Sequence, residues 1–260
     1  THADSSTETY SIADGDSVDV AAGAAATITG SKNVGISCGA GVTLTLDGVT
    51  ITSSAGSALT FTGIGNTLIL ANASALTGAS GKAAVRVENP TVLEIRGSGS
   101  LNAQGGQNAP GIGGSYGVDC GSIAITGGTI NTTGGSLGAG LGGGSGAGAG
   151  DITISGTAHV TAVGNGGAGL GSGAGGIGGT IAISGGTVNA TGKPANFVPA
   201  GTVCGAAGIG GGIWSDGGTI TISDGTVTAQ SSNYGAGIGA GDTDGYPAFT
   251  NNTVIAISGG

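Results

Sequence analysis

Apolar and polar residues alternate along this chain in short runs that return at a near-constant interval. The first kind of run carries two apolar residues one position apart: Leu44/Leu46, Leu68/Leu70, Leu93/Ile95, Ile123/Ile125, Ile152/Ile154, Ile181/Ile183, Ile220/Ile222 and Ile255/Ile257. A period of two marks a strand with one face buried. Successive pairs start 24, 25, 30, 29, 29, 39 and 35 residues apart. No helical period lies between them, which argues against βαβ units. A repeat of this size predicts a stack of similar units rather than a globule.

Two further runs follow each pair. The second turns one apolar residue inward (Ile51, Leu76, Leu101, Ile130, Val160, Val188, Val227) and aims its neighbours outward, mostly Thr, Asn and Ser. The third is glycine-rich: Gly111-Ile-Gly-Gly114, Gly140-Leu-Gly-Gly143, Gly169-Leu-Gly-Ser172, Gly208-Ile-Gly-Gly211 and Gly237-Ile-Gly-Ala240, with Ala58-Leu59 and Ala84-Val85 in the same slot earlier. Glycine there fits a tight corner and a wall without side chains. A phosphate cradle needs a helix N-terminus behind the loop, and none is predicted. The expected fold is all-β: a single-stranded right-handed parallel β-helix, with handedness following the chirality of parallel crossovers. About seven coils plus an incomplete C-terminal coil are expected from the repeat count. Residues 1–40, with Val18/Val20, Ile28 and Val34/Ile36, read as a degenerate first coil or cap, and 41–260 as one continuous repeat domain.

Composition narrows the class. Of 260 residues, 63 are Gly and 7% are charged. Five prolines and no strict Gly-X-Y period exclude collagen. The registered Val, Ile and Leu positions argue against disorder. No apolar run reaches the roughly 18 residues of a membrane span, so no membrane insertion is expected. The net charge of −9, with five Lys and Arg in total, gives no basic footprint for nucleic acid. Sparse charge with abundant Thr, Ser and Asn suits an extracellular or cell-surface protein. The opening Thr-His-Ala-Asp is not a signal peptide. Cys38, Cys120 and Cys204 are odd in number and far apart, and are expected as free thiols.

Ser17-Val-Asp-Val20, Gly41-Val-Thr-Leu-Thr-Leu-Asp-Gly-Val-Thr-Ile51 and the recurring Ile-x-Ile-Ser-Gly-Gly-Thr-Val with Ala-Gly-Ile-Gly-Gly-Gly resemble the Gly-rich β-helical repeats of bacterial cell-surface proteins. Those are labelled carbohydrate-binding domain-containing proteins. The likeness covers residues 10–260 and implies a surface module that engages polysaccharide or glycoconjugate; it supplies no binding residues. The insertions at 192–203 and 242–252 depart from the plain repeat.

Aligning the repeats by slot gathers late aromatics and acids on one turn, between the third run and the next first run. Tyr116, Trp214, Tyr246 and Phe249 fall there, with Asp119, Asp151, Asp216, Asp242 and Asp244. An aromatic face beside carboxylates is a platform for a pyranose ring, and loops on a rigid scaffold concentrate binding residues. The competing reading is that these aromatics cover the edge of the stack. The expected carbohydrate site is Tyr116, Trp214, Asp216, Asp242, Asp244 and Tyr246. Phe197 and Tyr234 are expected to pack the 192–203 insertion down. Asp242-Thr-Asp244-Gly245 opens like a calcium loop but lacks the later Glu, so an Asx turn is expected, with no metal and no cofactor.

The outward Thr/Asn row resembles ice-binding arrays by analogy, but Ala75, Ser100 and His159 interrupt it. Arg86 and Arg96 sit beside Glu88 and Glu94, away from the late acids, so ion pairing is expected rather than the paired carboxylates of a hydrolase. No enzyme is expected. The alternatives to glycan adhesion are a stalk or filament subunit stacking head to tail, with Ile255 and Ile257 meeting Val18 and Val20 of another copy, and a phage receptor-binding tip.

Overall fold

Period-two strands carry half their side chains inward and leave their main-chain groups to be paired sideways, and here each strand pairs with its counterpart in the next repeat. The structure, a computed structural model, describes residues 2–3, 7–13, 18–195, 204–242 and 252–259. Among these residues the regular structure is β-strand throughout. The strand pairings are parallel and fall into a ten-stranded and a fourteen-stranded sheet. The larger sheet contains the first and second runs, joined because Thr43–Thr52, Thr180–Lys193 and Thr219–Ser231 pass through both. The smaller sheet is the ladder of third runs, from His2–Ala3 through Val18–Val20, Ile36–Cys38, Leu59–Phe61 and Val85–Val87 to Ile238–Gly239. Residues 1–40 thus place three strands in this ladder, more than a single degenerate coil provides.

The inward rows are continuous. One runs Ala26, Leu44, Leu68, Ile95, Ile125, Ile154, Ile183, Ile222 and Ile257. It shows a slip that the apolar pattern conceals. Leu93 pairs with Asn66 and Ile95 with Leu68, two residues from the alignment of Leu93/Ile95 with Leu68/Leu70. The second runs slip equally: Leu101 pairs with Ser74, and Leu76 with Ala103. Asn66 and Ser74 therefore occupy inward positions, and both are buried. Each supplies an acceptor to the preceding strand. Val42 N–H donates to Asn66 Oδ1 at 3.1 Å, and Val49 N–H to Ser74 Oγ at 3.0 Å. Asn66 Nδ2 donates in turn to the carbonyls of Gly63 (3.1 Å) and Thr62 (3.2 Å). Two polar residues are tolerated in the core because their hydrogen-bonding groups are satisfied there.

The glycine wall is buried rather than exposed. Ile112–Gly113, Leu141–Gly142, Leu170–Gly171 and Ile209–Gly210 have both residues buried. Gly114, Gly143, Ser172 and Gly211 N–H donate to the carbonyls of Gly142, Gly171, Gly210 and Gly239 at 2.8–3.0 Å. A Cβ on Gly113, Gly142, Gly171 or Gly210 would overlap the carbonyl oxygen of its counterpart in the next repeat.

Restoring an apolar residue at 66 completes the hydrophobic row but orphans the buried Val42 N–H and takes the amide donor from the Thr62 and Gly63 carbonyls. Since an unsatisfied buried group costs about 1–3 kcal/mol, Asn66→Leu is expected to destabilise the protein by roughly 3 kcal/mol in denaturant unfolding. A variant as stable as the parent would contradict the slipped register.

Candidate functional site

The turns that follow the glycine wall stack on one another through their main chains. Gly117 N–H donates to Ser145 O (3.0 Å), Gly146 to Ala174 (2.8 Å), Gly175 to Ile213 (2.9 Å) and Trp214 to Asp242 (2.9 Å). The donor residue in each turn is left-handed, with φ of +70°, +74°, +68° and +58°. Three repeats place glycine in this slot and the fourth places Trp214, although a side chain there costs about 1–2 kcal/mol. Packing offsets the strain. Trp214 is half-buried against a small apolar cluster of Ala174, Ala195, Cys204, Ala206 and Ile213, joined by Leu137, which is itself left-handed at φ +62°. This places Trp214 in a packed patch rather than on an open platform.

The other expected residues separate. Tyr116, one position before the left-handed slot, is 59% exposed. Asp242 lies one repeat beyond Trp214, its carbonyl accepting from the Trp214 N–H and its own N–H donating to Gly205 O at 2.8 Å. Tyr246 and Asp244, with Phe197 and Phe249, lie outside the described residues, and so does most of the expected Asx turn. Tyr234 is exposed.

Three of the acids do converge. Asp119, Asp151 and Asp216 line one shallow groove of about 460 Å³ together with Asn89, Asn252 and Ile177. The pairing of Ser122, Asp151, Thr180 and Thr219 along the ladder puts Asp119, Gly148, Ile177 and Asp216 in one slot of successive repeats. Two of these carboxylates also tie repeats together: Asp119 Oδ1 accepts from Gly148 N–H and Asp216 Oδ1 from Gly178 N–H, both at 2.7 Å. Asp151 is exposed on its strand. Ile177 is 72% exposed, an apolar step set between acids. Slot alignment carries the signal for Ile177, since the preceding repeat holds Gly148 there. Among the described residues no three His, Cys, Asp or Glu side chains form a group able to hold a metal ion.

His159 pairs with Thr129 and Thr187 and is exposed, as its slot predicts. Arg86 pairs with Glu88 at 2.5 Å and Arg96 with Glu94 at 3.9 Å. The register slip breaks the outward Thr row further by setting Ala75 beside Asn102 and Thr77 beside Gln104, and one repeat on Asn131 Nδ2 donates to Asn102 Oδ1 at 3.0 Å. Val18 and Val20 are not an open edge: they are buried, and their strand is paired on both sides, with His2–Ala3 and Ile36–Cys38. Ile255 and Ile257 are exposed on Val254–Ile257, which pairs with the strand containing Thr219–Ile222. No helix among the described residues is long and apolar enough to cross a membrane.

A family model described as a beta helix repeat matches residues 93–116, 181–213 and 220–242. No curated protein and no solved structure matches the chain.

All three cysteines are free and buried. Burial pushes the Cys38 thiol up to about 12, with the charge of Asp19 adding to it. Cys120, on the acidic groove, is also raised to about 12, by burial first; a hydrogen bond with the Gly114 backbone opposes the shift, and Asp119 and Asp151 add to it. The unfolded thiols ionise near their ordinary value of 9.0. The stability these buried, neutral thiols contribute is therefore full below pH 9 and is lost as pH rises towards 12. Unfolding measured across that window is expected to show a steeper loss of stability for the parent than for a Cys38→Ala/Cys120→Ala variant. Equal slopes would contradict the assignment.

Proposed function

We propose that this chain is a non-catalytic, right-handed parallel β-helical solenoid that binds a glycan in the groove of Asp119, Asp151 and Asp216. The observation that carries the reading is the groove's composition: three carboxylates and two asparagines around one exposed apolar side chain, Ile177. Sugar hydroxyls donate to carboxylates, and the C–H face of a pyranose ring covers an apolar step. Tyr116, exposed on a turn of the same stack, offers a flanking surface, whereas Trp214 serves packing. The walls are main chain tied from repeat to repeat, so the groove is rigid before a ligand arrives, which lowers the ordering cost of binding. An extracellular or cell-surface location belongs to this reading; sparse charge and the resemblance to surface repeats support it.

Two carboxylates of the groove hold neighbouring N–H groups, which assigns them a positioning role and favours binding over hydrolysis. Head-to-tail assembly keeps one supporting observation, the exposed Ile255 and Ile257, and loses Val18 and Val20, which are buried.

The test is glycan-array screening followed by affinity electrophoresis on the best polysaccharide. Since a hydrogen bond to a charged group contributes about 1.5–3 kcal/mol, Asp151→Asn is expected to weaken retention by roughly tenfold or more. Ile177→Asp should abolish retention, and Trp214→Ala should lower stability and spare binding. Retention unchanged in Asp151→Asn and Ile177→Asp would remove the site. Release of reducing ends from the bound polysaccharide would overturn the non-catalytic reading.

A further inference from the structure

A second groove, of about 340 Å³, lies on earlier repeats and has the opposite character. Its lining holds two of the chain's five Lys and Arg residues, Lys82 and Arg86, and no acidic residue. In a chain of net charge −9 that is a local reversal of sign. The register explains how it is built. Ser37, Thr60 and Arg86 pair in sequence along the third ladder, so two hydroxyls and a guanidinium form one outward row. Strands lie roughly 4.8 Å apart in this direction, so the row brings three donors within the span of one small ligand. The Ser53–Ser57 corner and Lys82 close the side of the row.

Two details point to a ligand. Ser57 lines the groove at 7% exposure, and its Oγ is buried with no hydrogen-bond partner among the described residues. A buried hydroxyl without a partner is uncommon and calls for an explanation. Lys82 makes no ion pair among the described residues, whereas Arg86 gives one edge of its guanidinium to Glu88 at 2.5 Å. Arginine has five N–H donors in a planar fork, so the Glu88 contact leaves donors available. Exposed Val34 adds an apolar patch at the rim. The volume sits at the small end of ligand pockets, which run from about 300 Å³ upward, and suits a single ring.

We propose that this groove binds an oxyanion carried on a sugar ring, the carboxylate or sulfate of an acidic saccharide, held by Lys82 and Arg86 with the Ser57 hydroxyl as neutral partner. Lys82 supplies a point charge and Arg86 a directional donor, and such charge-assisted bonds are about twice as strong as neutral ones. Glu88 competes with the ligand for Arg86. The site is separate from the aspartate groove, and neither depends on the other being occupied.

Titration of the ¹⁵N-labelled full chain with glucuronate, inorganic sulfate and glucose tests this, with affinities taken from calorimetry. Glucuronate is expected to shift the amides of Gly35, Ser57 and Lys82, while glucose leaves them in place. Lys82→Met should weaken glucuronate by roughly tenfold, the size of one charge-assisted contact. Glu88→Gln should tighten it severalfold by freeing the guanidinium, a gain that damage to the fold would not produce. Sulfate alone matching glucuronate supports the oxyanion site and assigns it to the free anion. Absence of shifts with both anions, equal binding of glucose, or a Glu88→Gln variant that folds and binds no tighter would overturn the proposal.

Discussion

The structure depends on how closely one repeat's main chain can approach the next along the glycine wall. From Gly142 to Gly239 the carbonyl of this slot accepts a main-chain hydrogen bond from the residue that follows the slot in the preceding repeat. The carbonyl of each repeat occupies the space where a Cβ of the preceding one would be. Glycine is required there because the φ values of +123° to +146° exclude L side chains as well. The abundance of glycine, which taken alone suggests disorder, is here the condition for close stacking.

That stacking positions the chemistry. The turns beyond the wall inherit its spacing, so residues one repeat apart in sequence become neighbours in a row. Asp119, Ile177 and Asp216 form a groove for this reason, and Ser37, Thr60 and Arg86 form another on the earlier strands. Where a side chain replaces glycine in a left-handed slot, as Trp214 and Leu137 do, both pack into the same small cluster. The strain is localised where packing offsets it, and the aspartate groove is left lined by rigid main chain.

Much of this was legible in the sequence. The paired apolar positions found the ladder, and slot alignment found the turn that holds Asp119, Asp151 and Asp216. The slip at Asn66 and Ser74 was hidden, because a shift of two residues keeps every side chain on its own face and leaves the apolar pattern intact. Only the hydrogen bonds of two polar side chains distinguish the registers. Trp214 read as an exposed platform because its slot faces outward when glycine fills it; the cluster beneath it comes from residues spread between Leu137 and Ile213. The basic groove was missed because Arg86 and Glu88 read as a surface ion pair. The row joining Arg86 to Thr60 and Ser37 was available by slot, but a two-hydroxyl row looks like ordinary strand surface.

The central claim is that the space between glycines, and not backbone freedom alone, holds the stack together. Comparing the thermal unfolding of Gly169→Ala and Gly175→Ala tests it most directly, since Gly175 has a positive φ with open space around it, whereas Gly169 lies outside the left-handed region but would set its Cβ against Thr191 N and Gly208 O. The account predicts a modest loss for Gly175→Ala, about 1–2 kcal/mol from the left-handed backbone, and a much larger loss or failure to fold for Gly169→Ala. Equal destabilisation of the two variants would contradict it.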